Sequence, residues 1–128
     1  MKLLLDTHAL IWLFNGDQRL SLLARNAILS TGTTNWVSAV SLWEIAIKLG
    51  LGKLRLGADA FSQLIARIDA DGVSLLGVAP AHCARVAAMP LHHRDPFDRM
   101  LVAQAQEERL AIVSGDAALD AYGVERVW

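Results

Sequence analysis

Lys2-Leu3-Leu4-Leu5-Asp6 decides how this chain is read. Three consecutive leucines leave no polar face, so a strand at Leu3–Leu5 is buried on both sides, as in a parallel sheet covered by helices. Leu110-Ala111-Ile112-Val113-Ser114-Gly115-Asp116 repeats the arrangement, an apolar run that leads to an aspartate. In open α/β sheets ligands gather outside the carboxyl ends of the strands. Asp6 and Asp116 stand at that edge.

Outward from these runs, strand and helix patterns alternate. His8–Phe14 reads as a short apolar helix that ends around Asn15-Gly16. Leu20, Leu23, Ala24, Ala27 and Ile28 follow helical spacing. Trp36–Ser38 is a short strand, and Leu42, Ile45, Ala46 and Leu49 mark a helix that stops at Gly50. After a loop over 51–57, Phe61, Leu64, Ile65 and Ile68 form another helical stripe. Val73–Val78 is the next strand, and Pro80 opens a helix to about Ala88. A helix from Pro96 to about Arg109 precedes the strand Leu110–Val113, and Val124–Val127 is a last edge strand. The alternation predicts an α/β fold: one domain over residues 1–128, with a central parallel sheet of four to five strands flanked by helices on both faces.

Two more acids join the strand-end pair, Glu44 and Asp98, each near the start of a helical pattern. Every one of the four has a structural explanation alone. Asp95-Pro96 is an N-cap followed by proline at the first helical position, which puts Asp98 at the third, where the helix dipole favours it. Ser41 and Glu44 have the spacing of a capping box, and Glu44 lies four residues before Lys48. Asp6 and Asp116 are each placed to cap a following helix. Jointly they ask for more. Glu44 sits in an otherwise apolar helix, where a lone carboxylate is costly. Two carboxylates about 4 Å apart repel by roughly 4 kcal/mol at an effective dielectric near 20. A divalent cation offsets that repulsion. Hard oxygen donors without cysteine favour Mg²⁺ or Mn²⁺ over zinc.

The rest of the composition sets bounds. The chain has 128 residues, is 54% hydrophobic and carries a formal net charge of −1. No global basic field advertises nucleic acid, so any polyanion is held by a local patch and by metal. The apolar excess predicts surface given to a partner. The single cysteine, Cys83, rules out an intrachain disulfide framework and reads as a small buried residue in the stripe Cys83, Val86, Ala87. Asp6 and His8 interrupt what would otherwise hint at a signal peptide, and no apolar run is long enough to span a bilayer, so a cytoplasmic protein is expected. His92 and His93 are adjacent and cannot both face one site on regular structure, while His8 and His82 stand alone. No phosphate-loop or nucleophile-elbow motif is present.

The segments Leu3-Leu4-Leu5-Asp6-Thr7-His8-Ala9, Val37 to Ile45, His93 to Ala105 with its Asp95-Pro96-Phe97-Asp98-Arg99, and Ile112-Val113-Ser114-Gly115-Asp116 together resemble the PIN domain, and within it the VapC-type toxins of prokaryotic toxin-antitoxin modules. The resemblance runs over essentially the whole chain, in order. It implies a metal-dependent endoribonuclease that blocks translation, uses Mg²⁺ or Mn²⁺, is neutralised by a cognate antitoxin and forms a homodimer. It maps Asp6, Glu44 and Asp98 onto the family's acidic triad and Asp116 onto its less constant fourth position. Arg94, Arg99 and Lys48 are then candidates for RNA phosphate. Thr7 and Ser114 adjoin the acids, either to orient water or phosphate or simply to bond backbone. Trp12, Trp43 and the leucine-rich early helices are either core or a partner groove. Two rival readings fit less well. A receiver-type signalling domain needs a late lysine, and none follows Lys53. A catalytically inactive PIN fold kept as a binding module is opposed by the intact acids.

Overall fold

The structure, a computed structural model, describes residues 1–128. Five strands form the sheet: β1 (Lys2–Leu5), β2 (Thr34–Ser38), β3 (Ser74–Leu76), β4 (Ala111–Val113) and β5 (Arg126–Val127). Their order is β3-β2-β1-β4-β5, and every pairing is parallel. Six helices connect them: α1 (Thr7–Asn15), α2 (Leu22–Leu29), α3 (Ala39–Gly50), α4 (Ala60–Ala70), α5 (Pro80–Ala88) and α6 (Pro96–Glu108). A 3₁₀ turn spans Ala117–Tyr122. No helix is long and apolar enough to cross a membrane.

The leucine run behaves as its composition requires. Leu3, Leu4 and Leu5 are all buried, on alternating sides of the sheet. Leu3 and Leu5 join a core with Leu10, Ala24, Ile28, Ile45, Leu64 and Ile68 from α1 to α4. Leu4 joins the opposite core with Leu101, Val102 and Ala105 of α6. Each leucine side chain so buried stabilises the fold by about 1.5–3 kcal/mol. The strand is therefore central, and Asp6 is carried out of it onto the sheet's carboxyl edge. β1 lies where the strand order reverses, between β2 and β4, so that edge opens into a crevice there.

Several expectations need correcting. β3 is shorter than Val73–Val78. α3 starts at Ala39, with Ser38 as its N-cap through the Val40 N–H, so Ser41 lies inside the helix and forms no capping box with Glu44. Cys83 is exposed, because α5 turns His82 inward instead. The His82 Nδ1 accepts from the Ala79 N–H at 2.9 Å, so Nε2 carries the proton and donates to Glu108 at 2.8 Å. Both ring nitrogens are satisfied, which is what makes the burial affordable. Trp43 is 62% exposed and meets Phe97 edge-on, so it is not core. On α2, Ala24 and Ile28 are buried while Leu22, Leu23 and Leu29 face outward.

Candidate active site

Asp6, Asp98 and Asp116 come from three separate segments and meet in one pocket of about 490 Å³. Each is also a helix-terminus residue. The Asp6 Oδ1 accepts from the Ala9 N–H at 2.7 Å and caps α1. The Asp116 Oδ1 accepts from the Ala118 N–H at 3.0 Å and caps the 3₁₀ turn. Asp95 caps α6 through the Phe97 and Asp98 N–H groups, which sets Asp98 at the third position. For Asp6 and Asp116 the cap takes one oxygen, Oδ1, and fixes the side chain without using Oδ2. For Asp95 a single oxygen takes both amides, and Asp95 is not part of the pocket wall.

Crowding shows in the titration behaviour. Burial pushes the Asp6 carboxyl up, the Glu44 charge adds to this, and hydrogen bonds from Ser114 and Ala9 oppose it. Asp98 is raised too, from 3.8 to about 7, first by burial and then by the charges of Asp95 and Asp6, with His93 pulling the other way. These are carboxylates held where ionisation is disfavoured, a hallmark of functional sites.

Glu44 stands behind the pocket wall rather than in it. It is 4% exposed, and its partners account for that. The Thr7 hydroxyl donates to Oε1 at 2.7 Å, and the Lys48 Nζ lies 2.8 Å from Oε2. Thr7 is itself buried, 3.1 Å from the Ser41 hydroxyl. Thr7 therefore orients a carboxylate, which was not among its expected roles. Thr7→Val is expected to leave one buried carboxylate oxygen short of a donor and to cost about 1–3 kcal/mol of stability by urea denaturation. A variant as stable as the parent would show that Glu44 finds another donor there. Ser114 is buried, accepts from the Asp116 N–H at 3.1 Å and bonds Asp6, so it ties the two strand-end acids together.

The residue missed in the sequence is His93. Its Nε2 lies 2.9 Å from Asp116 Oδ2 and 3.4 Å from Asp98 Oδ2. These three side chains offer donor atoms all within 4.8 Å of one another. The ring's other nitrogen argues against metal ligation by histidine. Nδ1 accepts from the Asp95 N–H at 3.1 Å, so in the neutral ring Nε2 bears the hydrogen and donates. His93 therefore donates to Asp116, with Asp98 alongside. Tyr122 holds the loop, its hydroxyl taking the His93 N–H at 2.8 Å, so the placement depends on a residue 29 positions away. Of the expected phosphate contacts, Arg99 is committed elsewhere: it donates to the Pro90 carbonyl at 2.9 Å and the Tyr122 hydroxyl at 3.0 Å, bracing this same loop. Arg94 is exposed, and Lys48 lines a second, cationic pocket with Arg19, Lys53 and Arg55.

The donor set suits a hard divalent cation. Three carboxylates share the pocket, two of them with raised pKa. The one cation on the pocket wall, Arg19, is paired with Asp17 at 2.7 Å.

Known proteins share the sequence pattern and the fold. The family profile described as PIN domain matches residues 3–125. Ribonuclease VapC22 of Mycobacterium tuberculosis is 32% identical over 117 residues, covering 91% of this chain and 88% of that protein. The crystal structure of VapC20 from Mycobacterium tuberculosis, described as a sarcin-ricin loop cleaving toxin, superposes with a TM-score of 0.72 at 17% identity, covering 95% of each chain. VapBC2 from Rickettsia felis, solved bound to a DNA fragment from its promoter, gives a TM-score of 0.73 at 12% identity over the whole of both chains.

Proposed function

The chain belongs to the PIN domain family, and from that premise we propose that it is an endoribonuclease toxin that hydrolyses RNA phosphodiester bonds with Mg²⁺ or Mn²⁺. The observation that carries the reading is the convergence of Asp6, Asp98 and Asp116, from three segments, on one pocket where ionisation is disfavoured. Glu44 adds its charge from behind. A fold kept only for binding has no use for that cost.

Asp6, Asp98 and Asp116 would hold the cation directly, with Glu44 fixed by Thr7 and Lys48 as the fourth acid of the set. A bound divalent ion supplies Lewis-acid stabilisation of phosphate and a more acidic water at neutral pH. The chain's own part is positional. The caps on α1 and the 3₁₀ turn fix Asp6 and Asp116, and the α6 N-terminus fixes Asp98 and favours negative charge beside it. The His93 N–H orients Asp116, and an entering phosphate oxygen is a competing acceptor for it.

For partners, we infer a cognate antitoxin and a second copy of the chain. Exposed Leu22, Leu23, Leu29, Trp43, Leu51 and Leu91 supply apolar surface for both. VapC22, 32% identical, is by its name a ribonuclease, which supports the reading. Protein freed of any partner is expected to cleave a structured RNA with Mg²⁺ or Mn²⁺ and to stop in EDTA. Cleavage undiminished by EDTA would remove the metal from the mechanism, and no cleavage with either ion would remove the ribonuclease.

A further inference from the structure

The acid pocket has a second wall that hydrolysis does not need. Trp12 and Trp128 line it, with His8 and Arg19. The two indoles lie 5.8 Å apart, tilted by 55°. The Arg19 guanidinium sits over the Trp12 ring at 5.1 Å and is held there by Asp17. Gly115 shows how closely this wall approaches the catalytic loop. A Cβ built on it would lie 3.0 Å from the Trp128 ring carbons, so a larger residue there would press on the indole beside the turn between Ser114 and Asp116. Both indoles are only half-buried, with their inner parts against the core.

His8, Trp12 and Arg19 also line the neighbouring pocket, whose other side carries Lys48, Lys53 and Arg55. Lys53 and Arg55 are exposed and pair with no carboxylate. A path therefore runs from three acids, past two indoles, to a group of cations. On a chain of net charge −1 that concentration is local. Its order matches the needs of an unpaired nucleotide strand: aromatic faces for bases, cations for the backbone. We propose that Trp12, Trp128 and Arg19 form a nucleobase subsite next to the scissile phosphate, and that Lys53 and Arg55 hold the phosphates beyond it. This rests on the ribonuclease reading and adds its recognition element.

The test is the KM–kcat split on a 5′-labelled single-stranded RNA oligonucleotide that the parent cleaves. Stacking of about 1–3 kcal/mol per base corresponds to roughly 5- to 150-fold in affinity. Trp128→Ala is expected to raise KM about 10-fold or more with kcat within about 3-fold, while Trp128→Phe keeps KM within about 3-fold. The exposed pair Lys53→Gln/Arg55→Gln is expected to raise KM about 10-fold and to flatten its salt dependence, with the melting temperature unchanged. Gly115→Ala should follow Trp128→Ala in direction. An unchanged KM in Trp128→Ala or in the double variant overturns the subsite while leaving the ribonuclease intact. So does equal impairment of Trp128→Ala and Trp128→Phe with a matching fall in melting temperature, which marks the indole as packing alone. A parent that cleaves no RNA with either ion overturns the ribonuclease reading and the subsite with it.

Discussion

Asp98→Asn is expected to lower RNA cleavage by about 10³-fold or more and, in EDTA at pH 8, to make the protein more stable. The first effect follows from losing a ligand oxygen where several kcal/mol of charge stabilisation act on the transition state, each 1.4 kcal/mol being worth about tenfold. The second follows from the carboxyl's own position. Its pKa rises from 3.8 to about 7 on folding, because burial and the charges of Asp95 and Asp6 oppose ionisation. About three pH units correspond to roughly 4 kcal/mol, reduced to about 2–3 kcal/mol by solvent, since the side chain is 26% exposed. Asparagine keeps the shape and removes the charge. It forfeits a favourable helix-dipole term of about 0.3–1 kcal/mol, too small to reverse the sign. A gain of about 5–10 °C in melting temperature is the expected reading. The pH dependence is fixed by the sign of the shift. A raised carboxyl stabilises the fold fully below 3.8 and loses that contribution as pH rises through about 7. The variant's advantage should therefore vanish near pH 4 and reach its plateau above pH 7. A variant less stable than the parent at pH 8 would mean that Asp98 is not strained.

This coupling of activity to instability explains what the sequence disclosed and what it withheld. Apolar runs ending on acids are one-dimensional signals, because strand burial and strand-end position are set by neighbours in the chain. Leu3–Leu5 and Ala111–Val113 were legible for that reason, and Asp6 and Asp116 with them. Asp98 was legible through Asp95-Pro96, a local cap. Glu44 was found through its cost in an apolar helix, but the relief of that cost was not. Thr7 is 37 residues away and meets Glu44 only after β1 and β2 pair. His93 failed for the same reason, since Tyr122 and Asp116 place it from the far end of the chain. Period alone also misjudged faces. It turned Cys83 inward, because a helix packed on one side only shows more apolar positions than it buries.

Mg²⁺ or Mn²⁺ is expected to raise the parent's melting temperature by about 10 °C at pH 8 when present at a hundred times its dissociation constant, from about 2.7 kcal/mol of linkage. At pH 5.5 the same addition should do little, because a proton already occupies Asp98 and competes for the oxygen the ion requires. Asp6 is raised as well, first by burial, and acts in the same direction as Asp98. Asp17 and Asp120 are lowered by Arg19 and Arg126, so their contribution is lost only as pH falls below the ordinary carboxylate range. Asp98→Asn should lose most of the metal-induced shift at both pH values, while Lys53→Gln/Arg55→Gln should keep it, since those cations lie in the neighbouring pocket. Equal shifts at pH 8 and pH 5.5, or an undiminished shift in Asp98→Asn, would place the ion elsewhere on the surface. The comparison separates two reasons for assembling acids at a sheet's edge. If they served only as helix caps, the ion would find nothing to relieve. If they form a metal centre, the instability measured without the ion should be largely recovered with it.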